Sequence, residues 1–160
     1  MAEVVAQQST ELSCVVIPLS GMQLLLPNIC IAEILPWRRV KVLEDAPDWC
    51  LGILGWRGES IPVIRFERFS SSLHEDRKVG RCMMVMNRSR TADAIPFYAL
   101  AAEGLPRMLQ LTDGDLENVP AKLGKAEVAT VRVGTESAII PDLKVIEQHV
   151  SELANARKRA

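Results

Sequence analysis

The sequence predicts a mainly β protein, a sandwich or barrel of short strands with one amphipathic helix near its C-terminal end. Three observations carry this. Apolar segments rich in Val, Ile and Leu are short and recur along most of the chain. Turn-forming pairs such as Ser20-Gly21, Arg57-Gly58 and Gly134-Thr135 separate them. Sustained helical spacing of apolar residues occurs near the end, at Leu143, Ile146, Val150 and Leu153.

The elements follow in order. Residues 1–10 are polar and expected to be disordered. Leu12–Leu19 and Met22–Leu26 flank Ser20-Gly21 and read as a hairpin. Pro27-Asn28 interrupts the second strand. Ile29–Leu35 has no clear period; with Asn28 as an N-cap it reads as one or two helical turns ending before Pro36. Trp37–Leu43 alternates partly, and Asp48–Leu51 reads as a single helical turn. Leu51–Trp56 and Ser60–Phe66 form a second hairpin, with Pro62 pointing to an edge position or a bulge.

The Ser-rich and charged stretch from Phe66 to Gly80 reads as a linker between two halves. Beyond it, Arg81–Asn87, Ala94–Ala101 and Leu105–Leu111 read as strands, with a polar turn at Arg88–Asp93. Thr112–Lys125 reads as a loop. Glu127–Val133 alternates, with Val128, Val131 and Val133 apolar, and Ser137–Ile140 is a short strand after the turn. Pro141 suits the first position of a helix running to about Arg157. The sum is nine or ten strands, two or three short helices and one longer helix.

Composition narrows the function. A chain of 160 residues suits one domain, or two small subdomains sharing a core. It buries enough surface to fold without metal or disulfide. The net charge of −1 is a poor match to phosphate-backbone binding, so no nucleic-acid partner is expected, and the basic end Arg157, Lys158, Arg159 reads as a solvated helix terminus. No secretory pattern is visible, and no apolar run approaches the ~20 residues that span a bilayer. A cytoplasmic protein without direct membrane insertion is expected. Cys14, Cys30, Cys50 and Cys82 form no C-x-x-C pair and read as small buried hydrophobes.

Chemistry is sparse. The sequence holds no G-x-S-x-G, S-x-x-K, H-E-x-x-H or phosphate-loop pattern. His74 and His149 share no ligand spacing with each other or with the cysteines. Asp113 and Asp115 read as turn chemistry, and neither they nor Glu103 has a nameable base or nucleophile partner, so no enzyme, cofactor or metal is expected.

Two charges stand out in apolar surroundings: Glu33 within Ile29–Leu35, and Arg57 directly after Leu51–Trp56. Burying a charge is unfavourable unless it is paired or placed at an interface. Arg suits both a carboxylate and the face of a neighbouring ring such as Trp56. Each reads either as a solvated edge residue or as half of a pair setting an interaction surface. Gly52, Gly55 and Gly58 punctuate the hairpin, where glycine implies close backbone approach or positive φ. Trp49 and Trp56 read either as core or as exposed anchors.

The run Pro47, Trp49, Gly52, Ile53, Arg57, Gly58, Pro62 resembles the signature of CheW-like chemosensory coupling proteins. Ile31-Ala32-Glu33-Ile34 matches that family's V-x-E-I element, and Ala102-Glu103-Gly104-Leu105 stands at its V-D-x-V element. The resemblance spans Leu12 to Val150. It implies two intertwined SH3-like five-stranded β-barrel subdomains in one domain over residues 11–150. Their boundary is expected near 70–80, and residues 151–160 end the helix as a basic tail. It further implies a non-catalytic scaffold, with Ile31, Glu33, Gly52, Trp56, Arg57, Gly58 and Pro62 as partner-binding residues and Glu33 paired to Arg57. The implied partners are the regulatory domain of a CheA-type histidine kinase and the cytoplasmic tips of chemoreceptors. Departures from the family pattern, Gly55-Trp56 for Asn-Leu and Ala32 for Arg, mark a divergent member and point to a system controlling pili or another output. The competing reading is a small β-barrel module of another class, such as a single-stranded nucleic-acid binder whose aromatics stack on bases.

Overall fold

The computed structural model describes residues 11–70, 80–87 and 97–158. In chain order the elements are β1 (Leu12–Leu19), β2 (Met22–Pro27), β3 (Ile31–Pro36), β4 (Cys50–Trp56), β5 (Glu59–Ile64), the short helix α1 (Phe66–Ser70), β6 (Cys82–Asn87), β7 (Phe97–Ala102), β8 (Arg107–Leu111), β9 (Leu116–Val119), β10 (Glu127–Val133), β11 (Glu136–Pro141) and the helix α2 (Leu143–Lys158). They form a six-stranded sheet, β8-β1-β2-β11-β10-β9, and a five-stranded sheet, β3-β6-β7-β5-β4. The fold is mainly β, two barrel-like units with a C-terminal helix, and one unit has six strands where five were expected. The whole five-stranded sheet lies within the chain between β2 and β8.

Several strands are apolar without alternation because both of their faces are buried. In β1, Cys14 and Val16 face a cluster with Leu25, Leu111, Val131 and Ala138, inside the six-stranded unit. Val15 and Ile17 face the opposite way, into a larger cluster with Leu24, Leu26, Met84, Met86, Tyr98 and Leu100. In β6, Met83 and Val85 point instead into a third cluster with Leu54, Trp56, Ile61, Val63 and Ala99. The protein therefore has one core inside each sheet and a shared core between them. The helices close the shared core: Phe66 and Phe69 of α1 and Ile146 and Val150 of α2 belong to it. Each such aliphatic or aromatic side chain contributes roughly 1.5–3 kcal/mol on burial.

Each sheet curls toward its own free edges. β8 and β9 are the two edges of the six-stranded sheet, yet residues 112–115 alone connect them. Arg107 on β8 also ion-pairs with Glu136 on β11, three strands away in sheet order. In the five-stranded sheet, residues 37–43 leave edge strand β3 and reach the opposite edge, β4. There Lys41 N donates to Ile53 O at 2.9 Å, and Ile53 N donates to Lys41 O at 2.8 Å. Gly52 makes this crossing possible. Its φ is +149°, and a Cβ there would sit 2.4 Å from the Lys41 carbonyl oxygen.

Several local expectations are corrected. Ile29–Leu35 is not helical: a single 3-10 turn, Asn28–Cys30, leads into β3, and Pro27 rather than Asn28 holds the cap position. Pairing with β6 decides this segment, since Ile34 and Leu35 lie opposite Met84 and Met83. Trp37–Leu43 is a connector with one bridge to β4. Asp48–Leu51 is not a helical turn either; Cys50 N donates to Pro47 O and β4 starts at Cys50. Pro62 is not on an edge strand, because β5 lies between β7 and β4. The pairing with β7 involves Val63 and Ile64, and a register shift falls in partner strand β4 between Cys50 and Gly52.

The expected loop Thr112–Lys125 contains a 3-10 turn at Asp113–Asp115 and strand β9. Only Leu116 and Val119 of β9 are half-buried, too few to show a period. Val128 is exposed, because the register of β10 shifts between Glu127 and Ala129. Pro141 ends β11 instead of starting the helix; α2 begins at Leu143, with the Asp142 carboxylate accepting from Lys144 N at 3.2 Å. The expected boundary falls largely on residues 71–79, outside the described residues. β5 and β6 on either side of them share one sheet, and the chain changes sheet at 28–30 and 103–106 instead. The expectations for residues 1–10, for Arg88–Asp93 and for the start of Ala94–Ala101 also lie outside the described residues.

The Gly52 crossing yields a direct test. Gly52→Ala places a methyl against the Lys41 backbone and is expected to destabilise the protein by roughly 2–4 kcal/mol, read as a lower Tm by calorimetry. Gly55→Ala, where an added Cβ meets nothing within 4 Å, is the control and is expected to change Tm by no more than a few degrees.

Candidate protein-docking site

The β4–β5 hairpin turns on Arg57 and Gly58, between the paired residues Trp56 and Glu59. Both central residues have positive φ, 46° for Arg57 and 76° for Gly58. This is the primed two-residue turn whose twist matches a β-hairpin. Such a turn favours Asn, Asp or Gly at its first position. An L-residue with a full side chain pays about 1–2 kcal/mol there. Arginine at this place is therefore explained by what its side chain does, not by turn chemistry.

That side chain meets the other edge of the sheet. Glu33 lies on β3 and the hairpin tip on β4, at opposite ends of the strand order. The curl of the sheet brings them together. The Trp56 indole Nε1–H donates to Glu33 Oε2 at 2.7 Å. Arg57 Nη2 donates to Glu33 Oε1 at 3.2 Å. The Arg57 guanidinium carbon also stands 4.8 Å from the centre of the Trp56 ring. Three side chains thus form one latch across the seam of the barrel.

The members differ in exposure. Trp56 is 5% exposed and belongs to the barrel interior, with Phe97 edge-on at 4.7 Å. The Arg57 side chain is 67% exposed and that of Glu33 35%. The indole hydrogen bond is the largest influence on the Glu33 carboxyl and holds it below the ordinary glutamate range. Partial desolvation opposes this shift, and the Arg57 hydrogen bond and the charges of Arg57 and Arg38 reinforce it.

Of the residues singled out from the sequence, Glu33, Trp56, Arg57 and Gly58 come together at this surface. Gly52 and Pro62 lie in the frame behind it. Gly52 sits under the Lys41 crossing, and Pro62 is buried on β5 opposite Ile53. Ile31 packs toward the shared core rather than the latch. Trp56 is not the exposed anchor that its place beside Arg57 allowed, and Trp49 is half-buried, edge-on to Phe69 at 5.4 Å. The sequence reading missed the indole–carboxylate bond. The available signal was the need of a buried Trp N–H for an acceptor, with Glu33 stranded in an apolar run.

The other candidates resolve simply. The Asp115 carboxylate accepts from Thr112 N at 2.7 Å and Thr112 Oγ1 at 2.9 Å, a capping box whose hydrogen bonds lower the Asp115 pKa. Cys14, Cys50 and Cys82 are buried free thiols and Cys30 is half-buried. Burial pushes all four above the ordinary thiol value. Among the described residues no three His, Cys, Asp or Glu side chains gather as a metal site, and no helix is long and apolar enough to cross a membrane. All seven aromatic side chains are buried or half-buried, which leaves the base-stacking reading without a freely exposed ring.

Residues 13–150 match the family model of the CheW-like domain. The chain belongs to that family. That family is one of scaffold or adaptor domains of the chemotaxis type. A solved structure, that of the scaffolding protein TtCheW from Thermoanaerobacter tengcongensis, superposes with a TM-score of 0.69 at 14% identity, covering 86% of this chain and 88% of the other. At that identity the likeness is one of fold. Comparison with curated protein sequences finds no match. Within this CheW-like fold the latch occupies the stretch whose residues carried the family resemblance.

The depressed Glu33 pKa has a defined sign. Its stabilising contribution is fully present above the ordinary glutamate value and is lost as pH falls through the lowered folded value. Glu33→Gln is therefore expected to be less stable than the parent at neutral pH, and the gap should close in acid. Urea unfolding of both proteins across that range checks it; a gap that stays constant with pH refutes the assignment.

Proposed function

We propose that this CheW-like protein is a non-catalytic adaptor of the cytoplasm that couples the regulatory domain of a CheA-type histidine kinase to chemoreceptor tips, in a system controlling pili or another output. The observation that carries this reading is the latch. An arginine is held in an unfavourable turn conformation with its side chain largely in water, and a carboxylate and an indole fix its base. A protein gains from such preorganisation when a partner docks on it, since the side-chain entropy is already lost. Arg is also a favoured anchor of protein interfaces.

In this reading Arg57 is the centre of the docking surface. Glu33 and Trp56 support it, Gly58 provides its turn, and Gly52, Pro62 and Ile31 hold the frame. The departure at Gly55-Trp56 adapts the surface to its own kinase and receptor.

Isothermal titration with the regulatory domain of a cognate CheA-type kinase is the test. Saturable binding is expected, with Arg57→Ala about tenfold weaker or more and its circular dichroism unchanged. Absence of binding up to hundreds of micromolar would sink the proposal.

A further inference from the structure

We propose that Trp56 is a positioning residue that sets the specificity of this face: its indole N–H ties the Glu33 carboxylate into the barrel seam, leaving the Arg57 guanidinium to recognise a carboxylate on the docking protein. The inference rests on the docking role proposed for Arg57 and assigns the chemistry of its partner.

The division of hydrogen bonds carries the argument. Arg–carboxylate pairs frequently close as a two-pronged fork, each carboxylate oxygen taking one N–H. Here the indole occupies Oε2 at 2.7 Å, and Arg57 reaches Oε1 through Nη2 at 3.2 Å. A guanidinium has five N–H donors. With one contact to Glu33 and most of its side chain in water, Arg57 keeps a planar edge for a second carboxylate.

The setting favours an anion. The charged groups acting on Glu33 are Arg57 and Arg38, both cations, so its charge is already offset; Glu59, the exposed cross-strand partner of Trp56, is the acidic neighbour at the far side of the turn. The ring of Trp56 beneath Arg57 restricts the guanidinium from below. Beside the turn, Gly55 and its cross-strand partner Ser60 are exposed and small. An added Cβ at Gly55 would meet nothing within 4 Å, so a partner backbone can come close.

The idea predicts unequal responses from two substitutions at one latch. Trp56→Phe keeps a ring in the core but removes the N–H. Glu33 is then free to close on Arg57 as a fork, and affinity for the kinase regulatory domain should fall about tenfold. Glu33→Gln keeps an oxygen for the indole but removes both the charge that fixes Arg57 and the charge that competes for it, so affinity should fall by only about threefold, less than in Trp56→Phe. The double variant should bind no worse than Glu33→Gln alone, because no carboxylate is left to close on Arg57, a coupling that a purely structural role would not produce. In heteronuclear NMR the Trp56 indole N–H signal should also shift with pH, following Glu33 protonation below the ordinary glutamate range.

If the parent protein does not bind the kinase domain, the docking reading falls and this inference falls with it. If the parent and Trp56→Phe bind alike, or if Glu33→Gln weakens binding as much as Trp56→Phe does, this inference alone is overturned. Should Trp56→Phe fail to fold, Glu33→Gln and the indole titration still decide: a loss of about tenfold or more in Glu33→Gln, or an indole signal indifferent to pH, refutes it.

Discussion

The structure depends on strands that are wet on neither face. β1, β6 and β7 each send alternate side chains into two different cores, and the shared core between the sheets exists because both sheets contribute to it. This removes the usual freedom of a β-sheet to keep one face in water. It also fixes register tightly, since a one-residue slip in β1 would exchange Val15 and Ile17 for Cys14 and Val16 and misfit both cores at once. The helices follow from the same constraint: α1 and α2 lie where the shared core would otherwise be open, with Phe66, Phe69, Ile146 and Val150 inside it.

Curling a sheet around its own core leaves a seam, and the seam is where polar chemistry enters. In the five-stranded unit the backbone closes it at one point, the paired hydrogen bonds of Lys41 and Ile53. Side chains close it at another, through Glu33, Trp56 and Arg57. The two closures differ in kind. The first depends on the missing Cβ of Gly52 and is insensitive to pH. The second depends on charge, and a buried indole orients it from behind. A surface ion pair between mobile side chains contributes little; here one partner is held by the turn backbone and the other by the core.

Much of this was legible in the residues. The hairpins at Ser20-Gly21 and Arg57-Gly58 and the stripe of α2 follow from local punctuation and period. Membership in the CheW-like family was readable from Pro47–Pro62, because several positions agree there at fixed spacing. The segments that misled share a cause. In Ile29–Leu35 and Thr112–Lys125 local chemistry favoured a cap and a loop, while pairing with distant strands decided the outcome. The run Asn-Ile-Cys-Ile-Ala-Glu-Ile holds no sign that Met83 to Met86 will lie beside it. At the site, the two charges were visible as anomalies, but the third member of the latch was not. Nothing local says that the Trp56 ring faces inward while its N–H reaches across a seam.

The order of strands bears on how the chain is made. β1 and β2 leave the ribosome before the strands of the five-stranded sheet, yet their own sheet is completed by β8 to β11, which emerge after those strands. Every described strand between them belongs to the other sheet. The nascent β1–β2 hairpin must therefore wait with Cys14, Val16 and Leu25 uncovered while the five-stranded unit is synthesised. Contacts this distant in sequence form slowly, and unpaired apolar hairpins invite association. The inner unit can begin to fold around its own core during synthesis, whereas the outer one is completed only after β8 to β11 have emerged. Translation speed and chaperone access would thus act chiefly on the six-stranded unit, the one remote from the latch.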